Sequence, residues 1–113
     1  MNGYDKEEAL RFILKRINRR EHAELSEILD SLIAQAIDAD IAFMHETGVL
    51  DADGNAGDAY YEEDDAFEYI VETLAAANAL SPEAAVKMAS LVDDFMDFQQ
   101  DYLVYKGLVQ DED

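Results

Sequence analysis

From Leu25 to Met44 the apolar residues recur at helical intervals, and no other feature narrows the fold as much. Leu25, Ile28, Leu29, Leu32, Ala36, Ala39 and Phe43 fall on one side of a helical wheel, and Ile33, Ile37, Ile41 and Met44 widen that side beyond the stripe of a simple surface helix. A face this broad needs more than one neighbour. Gly48 stands where a left-handed cap would stop the helix, so this element is expected to span about 19–47.

The remaining segments supply the neighbours. Leu10, Ile13, Leu14 and Ile17 form a narrow stripe on a helix over about 5–17. Phe12 lies opposite that stripe among Arg11, Lys15, Arg16 and Arg19, as a seam contact or as part of a docking surface for an anionic partner. Asn18 followed by Glu21 has capping-box spacing and marks a break between the first two helices.

A third helix is expected over about 62–78, with Phe67, Ile70, Val71 and Leu74 as its stripe and Asp65 and Glu68 as a capping box. Glu62 to Asp65 place negative charge at the positive end of its dipole. The fourth, about 82–106, opens with Ser81 as cap and Pro82 in the first turn and stops at Gly107. No stretch sustains the alternation of a strand. The expectation is a single all-α domain, 1–113: a bundle of about four helices in two pairs joined by a Gly/Asp-rich loop over 48–61, with the tail 110–113 frayed.

Charge narrows the function more than any motif does. Twenty-seven acidic residues against eight basic ones give a formal charge of -19, which disfavours direct binding to nucleic acid or anionic lipid and speeds encounter with basic partners. The bases are concentrated at the start: residues 1–20 carry about +3 and the remainder about -22. The absence of cysteine excludes disulfides and thiolate metal sites. No apolar run is long enough to cross a bilayer, and the first residues lack the basic-then-apolar order of a signal peptide, so no membrane association and a cytoplasmic location are expected.

Two polar residues sit on apolar faces. Asp40 lies within the broad face of the second helix, where an unpartnered carboxylate would cost several kcal/mol on the order of. It needs an Arg of the first helix, a Tyr hydroxyl, a buried water or contact with bulk solvent; otherwise it is a functional acid. Gln99 lies near the middle of the apolar face of the last helix, where an amide fixes register or, as the lesser alternative, contacts a ligand.

The loop offers the one ligand-like spacing. Asp51, Asp53 and Asn55 occupy positions 1, 3 and 5 of an EF-hand-like calcium loop, with Glu62 at position 12. The pattern then departs. Ala56 stands where the turn glycine belongs, Gly57 follows one place late, and Asp58 replaces the usual apolar residue. A turn-rich connection or short hairpin with Asp53-Gly54 at its tip is the competing reading, and calcium is the only cofactor suggested.

Enzyme signatures are missing. Neither His22 nor His45 has helical metal-ligand spacing, the serines lack a nucleophile elbow, and there is no phosphate-binding glycine loop. A non-enzymatic, acidic protein-interaction module is expected. Homo-oligomerisation is expected too, because the apolar faces of the second and fourth helices exceed what a four-helix monomer needs to bury. Calcium binding through 51–62 and imitation of a nucleic acid on a basic protein are the alternatives.

Overall fold

The computed structural model describes residues 3–109, and the frayed tail expected at 110–113 lies outside them. It is an all-α bundle of four α-helices and one 3-10 segment: α1 Lys6–Leu14, the 3-10 turn Arg19–Leu25, α2 Leu29–Thr47, α3 Glu63–Ala77 and α4 Pro82–Tyr105. Each helix packs on the next and α4 closes the ring on α1. The loop between α2 and α3 joins two packed neighbours.

Local chemistry explains most of the ends. The Asp5 carboxylate accepts from the Glu8 amide at 3.1 Å and starts α1. That helix stops at Leu14, three residues before the expected end, because the Arg16 and Ile17 amides both turn onto the Ile13 carbonyl. Ser81 caps α4 by accepting from the Ala84 amide at 3.2 Å, with Pro82 in the first turn. Gly48 ends α2 at φ +87°.

The expected long helix over 19–47 is broken. Arg19–Leu25 winds as 3-10 turns with a kink at His22 (φ -125°, ψ 36°), and α2 begins only at Leu29. The tighter winding brings residues three apart onto one face, so His22 and Leu25 are both buried where the segment packs on α4. Asn18 does cap this segment, but through the Arg20 amide, and no side-chain bond from Glu21 completes the box. Ile28 becomes the residue before α2 and is 40% exposed, although the wheel places it on the buried face. The expected Asp65–Glu68 box is also absent. Helix α3 starts at Glu63, so both residues lie within it, and its three leading acids offset the unpaired amides through the dipole.

The core is continuous through the bundle. Ile13, Leu29, Leu32, Ile33, Ile37, Met44, Ile70, Leu74, Met88, Leu91, Phe95 and Leu103 are all fully enclosed. Most of the broad faces of α2 and α4 is buried inside the chain, with Ile41, Phe43 and Phe98 half-buried at its edge. The large apolar side chains left outside are Ile28 ahead of α2, Tyr60 ahead of α3, Tyr69 on α3, and Val86 and Tyr105 near opposite ends of α4. Phe12 makes the seam contact between α1 and α4: its ring meets Tyr102 edge-on at 5.5 Å and stacks near Tyr105, while the Arg16 guanidinium sits 3.6 Å from its centre. Among the described residues no helix is long and apolar enough to cross a membrane.

Candidate functional site

Asp40 and Gln99, the two polar residues placed on apolar faces, meet in the centre of the bundle. Both are fully enclosed. Gln99 Nε2 donates to Asp40 Oδ2 at 2.9 Å, and the Tyr61 hydroxyl donates to the same oxygen at 2.6 Å. The Tyr4 hydroxyl donates to Gln99 Oε1 at 2.6 Å, so the order of the chain is Tyr4, Gln99, Asp40, Tyr61. It ties the segment before α1 to α4, α2 and the segment before α3. Asp40 Oδ1 has no hydrogen-bond partner among the described residues. Burial pushes the Asp40 carboxyl up to about 6, against the two hydrogen bonds that favour its ionised form. Burial also raises both tyrosines well above their ordinary range, with the Asp40 charge adding to the effect.

Tyr61 connects this network to the surface. It forms part of an open groove of about 1040 Å³ that runs from Ala56 to Asp64 and across to Gln100 and Leu108 at the end of α4. Asp58, Glu62, Glu63 and Asp64 line it together with Tyr60, and none of its described lining residues is basic. The sequence explains the wall. The acids that lead into α3 have to stay at the surface, while Tyr61 turns inward to reach Asp40.

The loop ahead of the groove is a small hairpin. Leu50 and Ala56 bridge, the Asp51 amide donates to the Asn55 carbonyl at 2.8 Å, and the Gly54 amide donates to the Asp51 carbonyl at 3.0 Å. With Gly54 at φ +82°, this is a three-residue connection of the bulged type. Asp51 Oδ1 accepts from the Asp53 and Asn55 amides at 2.9 and 3.0 Å, so that carboxylate organises its own turn. Asp51, Asp53 and Asn55 are exposed on this tip, whereas Glu62 is the cap residue of α3 and part of the groove. The carboxylates of Asp51, Asp53 and Glu62 do not converge into one ligand set.

Convergence occurs elsewhere, at Glu21, His22 and Asp94, whose ligand atoms lie within 4.8 Å of one another. Among the described residues it is the one such group of acids and histidines. Spacing could not reveal it, since Asp94 is far along the chain and adjacent residues diverge on a regular helix. A histidine three residues from Leu25 in an otherwise polar stretch was the available signal.

No protein-family model, curated protein or solved structure matches this chain. The functional reading therefore rests on the chemistry of the groove, the buried network and the surface charge.

Proposed function

We propose that the protein is a non-catalytic interaction module that holds a basic segment of a partner protein in the acidic groove at the start of α3. The observation that carries this reading is the groove itself: four carboxylates and Tyr60 around about 1040 Å³ of open space, with no cation among the described lining residues. Arginine suits such a surface, because its guanidinium pairs with carboxylates and stacks on aromatic faces. The charge of -19 adds long-range attraction for the same partner.

Fluorescence anisotropy with a labelled arginine-containing peptide and a matched glutamate peptide tests the reading. Binding of the first alone is expected, with affinity falling at least about tenfold between roughly 50 and 300 mM salt. Neutralising the groove (Asp58→Asn, Glu62→Gln, Asp64→Asn) should weaken binding about tenfold. Removing the same charge from α4 (Asp93→Asn, Asp97→Asn, Asp101→Asn) should weaken it less than about threefold. Equal losses from the two sets would show diffuse attraction and overturn the assignment of the groove. Sedimentation velocity across concentration decides separately whether the partner is another copy of the chain.

A further inference from the structure

We infer that Glu21, His22 and Asp94 form a binding site for one divalent transition-metal ion of the zinc class, clamping the 3-10 segment to α4. This site shares no residue with the groove. The backbone creates it. Neighbouring side chains on a regular helix diverge by about 100°, but the non-helical angles at His22 (φ -125°, ψ 36°) let Glu21 and His22 aim at the same point. Asp94 approaches that point from α4, with Oδ2 2.7 Å from His22 Nε2.

The donor set selects the class of ion. One imidazole nitrogen and two carboxylate oxygens suit borderline divalent ions such as zinc, and three protein ligands leave a position for water. The local charge favours a cation: Glu21 and Asp94 contribute two carboxylates, and the nearby Lys87 ammonium is engaged by Glu24. The site is also reachable. Glu21 and His22 border a solvent-open cavity of about 250 Å³, with Leu25, Val86, Lys87 and Ser90 around it.

Entry of the ion requires side-chain movement only, with the exposed Glu21 carboxylate drawing in from within 4.8 Å. Ligand bonds of about 2.0–2.2 Å place two donors about 3.3 Å apart in a tetrahedral site. The His–Asp contact would thus open by roughly half an ångström, and the Asp94 side chain is 35% exposed and has room to move. His22 would bind through the Nε2 lone pair, in the tautomer that keeps its proton on Nδ1. The hydrogen bond to Asp94 is then replaced by two bonds to the metal.

The test uses the full chain, titrated with cobalt(II) and followed by its visible absorption, then competed with zinc. One equivalent per chain is expected, with displacement by zinc, and the proton signals of His22 should shift while those of His45 stay in place. Zinc should raise the melting temperature, as a ligand of the folded state alone does. Glu21→Gln changes an exposed residue. It should leave the circular dichroism unchanged yet weaken metal binding about tenfold or more, and Asp94→Asn should do the same. Absence of a saturable cobalt spectrum, binding that follows His45→Gln, or equal affinity in Glu21→Gln would each overturn the site.

Discussion

Among the described residues Asp40 is the one buried acid. Its carboxyl is sealed in the bundle, one oxygen holds two donors, the other holds none, and burial pushes its titration from the ordinary 3.8 up to about 6. The folded protein therefore takes up this proton more readily than the unfolded chain does. The site favours folding most below about pH 4, and that contribution is lost as pH rises through about 6. The shift corresponds to roughly 3 kcal/mol held against the fold at neutral pH. Asp40→Asn should remove the dependence contributed between about pH 4 and 6 and make the protein more stable than wild type above about pH 7. Urea denaturation at a series of pH values checks this. A variant that keeps the wild-type slope, or is less stable at neutral pH, would show that the network stabilises the charged form more than burial opposes it.

The elements show which parts of the chain could be read from sequence. Ser81, Pro82 and Gly48 act through atoms within a few residues of themselves, and the structure places each at the helix end its chemistry suits. The 3-10 segment was hidden because the apolar intervals at Leu25 and Ile28 also fit an α-helix, and only packing of His22 and Leu25 on α4 selects the tighter winding. The network around Asp40 was half legible. Asp40 and Gln99 stand out on their own faces, but Tyr4 and Tyr61 lie outside the helices, in segments whose direction is set by the assembled bundle. Gly57 is a similar case. In the sequence it resembles a misplaced calcium-loop glycine, whereas here a Cβ would lie 2.1 Å from the Gly48 carbonyl oxygen. Its amide donates to the Val49 carbonyl at 2.8 Å, so the two arms of the hairpin cannot part without losing that bond. Gly57→Ala should cost about 3 kcal/mol through forced backbone movement. Gly107→Ala meets open space and strains only its φ of +72°, so it should cost about 1 kcal/mol. Chemical denaturation of the two variants compares them directly, and equal losses would mean that the hairpin yields easily.

At the scale of the whole molecule, an excess of nineteen negative charges is folded into a body with a radius of gyration of 13.6 Å. Few cations relieve it. Lys6 pairs with Asp38, Arg19 with Asp30, Lys87 with Glu24 and Lys106 with Glu8, mostly at exposed positions where one pair contributes about 0–1 kcal/mol. Lys106 and the Tyr102 hydroxyl together hold Glu8 below its ordinary range. The remaining carboxylates share a body with extents of only 37 × 26 × 25 Å, and salt screens charges beyond the Debye length, about 8–10 Å at moderate salt. Salt weakens the pairs and the repulsion alike, but acids outnumber bases by more than three to one, so relief of repulsion should prevail. The melting temperature at pH 7 is expected to rise between roughly 20 and 500 mM sodium chloride. The rise should shrink as pH approaches the isoelectric point near 4.1, where the net charge vanishes. Differential scanning calorimetry at both pH values separates screening from a general salting-out effect. An equal rise at the two, or none at neutral pH, would show that self-repulsion does not limit this fold and that its surface carboxylates tolerate their crowding without a basic partner.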